Sequence, residues 1–374
     1  MELINATRMA AGYAMGLEPS GREHLIIAVK GTFSIPAEQG GRLQLHEEQL
    51  PLVLSDVFHG APGLSAPKYE MDLPLRKHRR DILVNGSAHA PGGRPTDRVP
   101  VAIQVGAWHK RFTVVGDRVW FLDGGPRSTT PTPFITMPIT YDLAFGGTDQ
   151  RHEDPAQHAA FMQNPSGRGF HKHLTAEWLE GSPLPNTEEL GSVVDQPDGN
   201  YRPMSFGPVG RHWEPRIRYA GTYDQKWLDD VFPFLPADFD EQYYQSAPSD
   251  QQLPLSVGDE MVTLTNLTPE GRRDFVLPYF EAPISFLLKN EQREDVVARA
   301  DTVVIEPDLQ RVTVTWRTSR PLRKNMFEVV EVLVGRKGTE WWQQRATSFP
   351  IPIVVEPVAT LQEGEPEPAE EDDE

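Results

Sequence analysis

Carboxylates set among aromatic residues are the strongest hint of chemistry in this sequence. The segment in question contains Trp213, Tyr223, Asp224, Trp227, Asp238 and Asp240. Glycoside hydrolysis needs two carboxyl groups across a scissile bond, and sugar sites place aromatic faces beneath the ring. A structural interpretation competes, because Asp224 stands where it would cap a short helix and PADFD is typical of a turn whose carboxylates accept backbone N–H groups. We favour the structural interpretation.

Other catalytic signatures are absent. The sequence has no GxSxG elbow, no HExxH motif, no phosphate loop ending in GK[ST] and no GxGxxG after a strand. Histidines cluster at His152, His158, His171 and His173. Zinc sites need three or four converging ligands, and turn histidines explain this spacing equally well. With no cysteine in the chain, we predict a protein that is not an enzyme and has no catalytic residue, metal or cofactor.

The distribution of charge excludes one class of partner. The net charge is −18, and nucleic-acid binding requires a cationic face, so we predict no nucleic-acid partner. Half of this charge lies in residues 356–374, which contain nine acids and no Lys or Arg. This acidic tail is predicted to be disordered, because it has too few large apolar side chains to offset the entropy of ordering. It could serve solubility or dock on a basic partner.

A basic run interrupts this acidic chain. KYEMDLPLRKHRRD places Arg76, Lys77, His78, Arg79 and Arg80 in succession. Two interpretations stay open: a solvated loop, or a docking face for an acidic segment such as the chain's own tail.

The start of the chain bears on localisation. Its first twenty residues lack the basic start and apolar run of a signal peptide, and no stretch approaches the ~20 apolar residues that cross a bilayer. We predict a cytoplasmic protein without a membrane span.

Alternating patterns predict the strands that must position these residues. In LIIAVKGTFSI and RVTVTW, apolar residues recur at every second position, as half-buried strands require. We predict tight hairpin turns at Gly116-Asp117, between two β-rich runs, and at Pro307-Asp308 in TVVIEPDLQRVTVTW.

Helical signals are short and scattered. Asp154 before Pro155 predicts a helix that runs to Asn164, and Thr175–Leu179 and Asp224–Val231 are shorter candidates. We therefore predict a mainly β protein, a β-sandwich-like or paired-sheet scaffold with long ordered loops and a few short helices. Residues 1–355 are predicted to form a single domain, with a loop-rich central region at 121–250.

Several motifs, in order, resemble one bacterial family. They are VKGTF, RRDILVNGSAHAP, VVGDRVW, PFITMPITYDLAFGG, NPSGRGF, LPNTE, AGTYDQKW and LPADFD. On these motifs the chain resembles, over roughly residues 20 to 335, the family designated domain of unknown function 2169 (DUF2169). Members are encoded beside type VI secretion effectors and are regarded as effector adaptors or chaperones.

This resemblance implies a cytoplasmic adaptor that binds a toxin effector and helps to load it onto a spike made of a VgrG-type trimer and a PAAR-type tip. The residues that either bind the effector or brace the binding surface would be Arg168, Phe170, Trp213, Tyr223, Asp224, Trp227, Asp238 and Phe239. Two alternatives stay open: a carbohydrate-active enzyme or lectin that uses Asp224, Asp238 and the nearby aromatics, and a structural piece of the spike.

Overall fold

A computed structural model describes residues 1–256, 258–290 and 292–348. The predicted acidic tail, 356–374, lies outside these residues. Strands dominate the described part, and their bounds in chain order are β1 (Glu2–Asn5), β2 (Ala10–Leu17), β3 (Glu23–Ser34), β4 (Gly41–Arg42), β5 (Gln44–Leu45), β6 (Val57–Phe58), β7 (Pro67–Tyr69), β8 (Arg80–Val84), β9 (Gly86–His89), β10 (Arg98–Val105), β11 (Trp108–Val115), β12 (Trp120–Leu122), β13 (Pro126–Ser128), β14 (Thr136–Ile139), β15 (Phe145–Gly146), β16 (Thr148–Asp149), β17 (Ala159–Ala160), β18 (Arg168–Gly169), β19 (Thr187–Glu188), β20 (Gln252–Leu253), β21 (Met261–Thr265), β22 (Arg272–Val276), β23 (Ala282–Leu288), β24 (Arg293–Glu306), β25 (Arg311–Pro321) and β26 (Val329–Val334).

Helices are short, as the sequence predicts. The α-helices of the described residues are α1 (Ala176–Leu179), α2 (Glu214–Ile217), α3 (Gln225–Asp230) and α4 (Thr339–Ser348). The 3₁₀ helices are Pro91–Gly93, Tyr141–Leu143, Pro155–Gln157, Glu241–Tyr244, Ser249–Gln251, Pro307–Leu309 and Met326–Glu328. Among the described residues, we find no helix with the length and apolar character that a bilayer span requires.

The larger sheet has ten strands. Its main path runs β1-β26-β23-β24-β25-β3-β2, with β8, β20 and β5 attached at the side. Both predicted strands are present in it, as β3 and β25, but the expectation of half-buried strands is wrong. The side chains on their second faces are also buried: Ile26 and Ala28 in β3, and Thr313 and Thr315 in β25. They are buried because the segment before β8 lies across that side of the sheet.

The smaller sheet has six strands in the order β19-β11-β10-β21-β22-β4. Alternate side chains of β10, from Val99 to Val105, join one hydrophobic core with Leu25, Ile27 and Val29 of the larger sheet. Burial of apolar surface between two sheets is the main stabilising contribution in this architecture. The prediction of a mainly β, paired-sheet scaffold is confirmed.

The two predicted hairpins have different outcomes. The turn at Pro307 is confirmed, since β24 and β25 pair antiparallel and Gln310 adopts a left-handed conformation at the reversal. The hairpin at Gly116 is wrong: β11 pairs with β10 and β19, whereas β12 pairs with β13. Gly116 is instead required by close approach, because a Cβ there would lie 1.9 Å from the carbonyl oxygen of Thr132.

The helix predictions also divide. Asp154 does cap a helix, with its carboxylate accepting the Ala156 N–H at 2.9 Å, but that helix ends at Gln157 and the chain then forms β17 against β16. The extension to Asn164 is therefore wrong, since pairing with another strand outweighs helix propensity. The helices after Thr175 and Asp224 are confirmed as α1 and α3.

Candidate protein-interaction surface

One loop of the central region contains five of the predicted site residues. We call residues 219–240 the aromatic loop. Its base closes where the Asp240 N–H donates to the Tyr219 carbonyl at 3.0 Å. Next to this closure, the Asp238 carboxylate accepts the Thr222 N–H at 2.9 Å and the Thr222 hydroxyl at 2.7 Å. The predicted residues that it contains are Tyr223, Asp224, Trp227, Asp238 and Phe239.

Trp227 is the internal anchor of the aromatic loop. The Asp224 carboxylate caps α3 by accepting the Trp227 N–H at 2.8 Å, and the indole N–H of Trp227 donates to the Phe234 carbonyl at 3.0 Å. The indole also makes edge-to-face contacts with Tyr223 and Phe232, at 4.7 and 5.6 Å between ring centroids. These bonds hold the loop in one shape without a deep core beneath it.

The outer side of the aromatic loop exposes large apolar side chains. Tyr223 is 53% exposed, Leu228 52%, Phe232 62% and Phe234 44%. Apolar groups clustered in water are typical of interaction sites. Leu228, Phe232 and Phe234 were not among the predicted site residues, although VFPFLP carries the signal, since apolar residues alternate there with turn-forming prolines.

The aromatic loop also carries an excess of acidic side chains. Its five exposed carboxylates, against the single cation Lys226, belong to Asp224, Asp229, Asp230, Asp238 and Asp240. This acidic charge favours a partner whose apolar contacts are flanked by Lys or Arg, because opposite charges steer association and like charges disfavour the wrong partners.

The remaining three predicted residues brace the interior of the central region. Trp213 is fully buried and makes an edge-to-face contact with Tyr141 at 5.3 Å. Phe170 packs beside Phe161 at 5.8 Å in a separate cluster. Arg168 is half-buried and pairs with Asp117 at 3.3 Å. The structure does not bring these three side chains to the aromatic loop.

The carboxylates of the sugar-site alternative are engaged in turns. Asp224 caps α3, and both oxygens of Asp238 accept hydrogen bonds from Thr222. Those hydrogen bonds lower the pKa of Asp238, whereas a general acid in glycoside hydrolysis needs a raised pKa. The role of these two carboxylates in the structure is therefore to stabilise the turns of the aromatic loop.

The clustered histidines are likewise engaged locally. The His173 ring bonds to the Asp149 carboxylate at 3.0 Å and stacks on His152 at 5.4 Å, and the His158 ring bonds to the His152 carbonyl at 2.8 Å. Within the described ranges, no group of three or more potential ligands is placed to hold a metal ion.

The basic run is neither a solvated loop nor a free docking face. Lys77 and Arg80 are buried, and Arg76 is half-buried. Arg80 pairs with Glu260 at 2.6 Å, and Arg76 pairs with Glu18 at 2.7 Å and Glu241 at 3.1 Å. Only His78 and Arg79 are exposed. Both sequence interpretations are corrected, because acids distant in sequence neutralise these cations.

Lys77 begins a layer of buried charges on the outer face of the larger sheet. Its ammonium group donates to Asp81 at 2.6 Å and lies 3.6 Å from Glu70. Beside it, Lys30 pairs with Asp72 at 2.9 Å. The side chains of Lys30, Asp72, Lys77 and Glu70 line a cavity of about 200 Å³. The charged groups bond to one another and so fasten the segment before β8 to the sheet.

Glu70 makes this layer dependent on pH. The carboxylate pairs with Arg216 at 2.6 Å and with Arg211 at 2.9 Å. Burial alone would raise the pKa of Glu70, but Arg216, Lys77 and Arg211 outweigh it and lower the pKa to about 2. A carboxyl whose pKa is depressed on folding stabilises the protein above its unfolded pKa and loses that contribution as the pH falls.

We therefore expect Glu70→Gln to lower the free energy of unfolding by about 3 kcal/mol at pH 7, because folding lowers the pKa of Glu70 to about 2 and this stabilisation is lost with the carboxylate. The deficit relative to the unsubstituted protein should shrink as the pH falls from about 4.5 toward 2. Urea unfolding of both proteins at pH 7, 5, 4 and 3 measures it. A deficit of the same size at every pH would contradict the ionic explanation.

Fold and surface together define a class: a mainly β protein whose most exposed apolar side chains include a cluster on a braced loop. A family model described as an uncharacterized protein conserved in bacteria, DUF2169, matches residues 20–317. The chain belongs to this family. The matched residues include the aromatic loop and the buried charges around Lys77. The strands β1 and β2 precede the matched residues. No curated protein and no solved structure matches the chain.

Proposed function

We propose that this protein is a non-enzymatic cytoplasmic adaptor that binds a type VI secretion toxin effector and promotes its loading onto the spike of VgrG-type and PAAR-type proteins. The link to secretion is what the resemblance of the sequence motifs to this family implies. The aromatic loop is the observation that carries the proposal, because it presents apolar side chains to solvent while capping and indole hydrogen bonds keep them in place.

Such a loop suits binding for energetic reasons. Aromatic side chains contribute large contact areas at low entropic cost, and interface hot spots are enriched in Trp and Tyr. Preorganisation by Asp224 and Asp238 reduces the ordering cost that a flexible loop would incur on association. The carbohydrate-active alternative has less support, since its two carboxylates are the groups that preorganise the loop.

Co-expression with the toxin encoded beside this protein, followed by pull-down and a secretion assay, tests the adaptor role. We expect the toxin to co-purify and to need the adaptor for solubility and delivery. Equal solubility and delivery without the adaptor would refute the proposal.

Substitutions on the outer side of the loop should separate binding from folding. We expect Phe232→Ser to weaken effector binding by at least about tenfold, which corresponds to roughly 1.4 kcal/mol. The melting temperature should fall less than in Trp227→Ala, because the Phe232 ring is 62% exposed and loses only its contact with Trp227. Phe327→Ser is the matched control, since Phe327 is 61% exposed in a different part of the chain. Calorimetry and thermal melts of both variants make the comparison, and equal losses of affinity would remove the loop from the interface.

Trp227→Ala is the companion variant. It removes the indole hydrogen bond to the Phe234 carbonyl and the contacts with Tyr223 and Phe232. We expect it to reduce both binding and melting temperature, because Trp227 braces the loop from within. A loss of binding with an unchanged melting temperature would instead make Trp227 a direct contact.

A further inference from the structure

The strand β2 leaves one edge of the larger sheet open. It is the last strand of the main path, and among the strands that the structure describes it pairs with β3 alone. Within the described residues, no hydrogen bond joins the backbone of Ala10–Leu17 to any element other than β3. An unpaired edge of this kind is a template for an added strand.

The register shows which backbone groups lie on the open side. Just beyond β2, the Glu18 N–H donates to the Arg22 carbonyl at 3.0 Å, and the same antiparallel register continues along β2 and β3. Hydrogen-bonded and non-hydrogen-bonded pairs alternate in an antiparallel ladder, so the even-numbered residues of β2 bond to β3. The residues whose N–H and C=O groups point away from β3 are Ala11, Tyr13, Met15 and Leu17.

This edge lacks the usual protection against pairing. Natural edge strands carry Lys, Pro, inward charges or bulges. The sequence of β2, AAGYAMGL, has no charged residue and no proline, and its register with β3 is unbroken over eight residues. Tyr13 and Met15 are 42% and 40% exposed. These two residues are two positions apart in β2 and lie on the same face, so the side chains of an added strand could cover both.

We propose that β2 accepts an extended segment of the effector as an additional strand, an inference that rests on the proposed adaptor function. Backbone hydrogen bonds to the four odd-numbered residues would supply affinity, and apolar side chains placed over Tyr13 and Met15 would supply specificity. A strand is the form that fits, because a helix satisfies its own backbone groups internally.

A partner protein fits this edge better than a second copy of the chain. Two copies would each bring a net charge of −18, and like charges oppose self-association. The edge is also continuous with the aromatic loop, since a Cβ placed at Gly21 in the turn after β2 would lie 3.5 Å from the Phe234 ring. The acids of the loop then favour an effector segment with Lys or Arg beside its apolar residues.

Residue-resolved hydrogen exchange on the co-purified complex tests the strand directly. In the free protein, the amides of Gly12, Ala14 and Gly16 should be protected by β3 while those of Tyr13 and Met15 exchange fast. Binding of the co-expressed effector should slow Tyr13 and Met15 by at least tenfold. Unchanged exchange at these two amides in a formed complex would overturn strand addition and leave the adaptor function standing.

Proline substitution provides an independent test. Met15→Pro removes an outward N–H and spares the ladder to β3, so the variant should remain folded and bind the effector at least tenfold more weakly. Met15→Ala, which keeps the N–H, should bind more tightly than Met15→Pro. Equal binding by all three proteins overturns the proposal. The proposal is also overturned if the isolated protein forms a dimer and Met15→Pro dissociates that dimer. No binding by the unsubstituted protein instead refutes the adaptor function itself.

Discussion

Asp81→Ala is expected to lower the free energy of unfolding by about 3 to 5 kcal/mol, the cost of leaving a buried ion pair without one partner. Asp81 is fully buried. Its carboxylate accepts from the Lys77 ammonium at 2.6 Å, the Gln245 amide at 2.7 Å, and the N–H and hydroxyl of Ser246 at 2.7 and 2.9 Å. Removal of the carboxylate leaves a buried cation and several hydrogen-bond donors without a partner. Unsatisfied buried donors are costly.

Urea unfolding at pH 7 measures this effect. Asp123→Ala is the matched control: the Asp123 side chain is 76% exposed and 3.6 Å from Arg127, so its loss should cost under about 1 kcal/mol. In the Asp81→Ala background, Lys77→Met should restore part of the stability, because it removes the stranded charge. A double variant whose deficit equals the sum of the two single deficits would show that the pair is not coupled.

Gly146→Ala should destabilise the protein by at least about 3 kcal/mol, through backbone strain and overpacking combined. Gly146 has a φ of +149°, and a Cβ there would lie 2.1 Å from the carbonyl oxygen of Asn164. Asn164 cannot move aside cheaply, because it is buried and its amide donates to the carbonyls of Tyr141 and Phe145 at 2.8 and 3.1 Å.

Gly124→Ala isolates the contribution of the backbone conformation. Gly124 also has a positive φ, +65°, but no atom lies within 4 Å of the position a Cβ would occupy. Its substitution should cost roughly 1 to 2 kcal/mol, the penalty of a left-handed residue alone. Thermal and urea unfolding of the two variants should therefore rank Gly146→Ala well above Gly124→Ala, and similar losses would show that close approach to Asn164 contributes little.

Local patterns predicted the elements better than their partners. The period-two alternation in β3 and β25 and the reversal at Pro307 were readable, because side-chain alternation and turn conformation depend on near neighbours in the chain. The hairpin at Gly116 and the helix after Asp154 failed for one reason. In the structure β11 pairs with β10 and β19, and β17 pairs with β16; strand pairing of this kind outweighs local propensity.

The candidate surface divides in the same way. That Asp224 would cap a helix followed from the residues around it, and the structure confirms the cap. The exposure of Phe232 and Phe234 and the full burial of Trp213 did not follow from the sequence. All three are large apolar residues in similar Gly- and Pro-rich surroundings. Exposure depends on which segments fold over a side chain, and neighbouring sequence does not record this.

By itself, the sequence determined the mainly β class, the short capped helices and the family, because these depend on periodicity, turn chemistry and ordered motifs. Only the tertiary structure decided that Lys77 and Arg80 are buried against Asp81 and Glu260. It also decided that β2 ends the sheet, with outer backbone groups that no other part of the described chain pairs with. Ion pairing and sheet order join residues far apart in the chain, so their outcome exists only once the whole chain has folded.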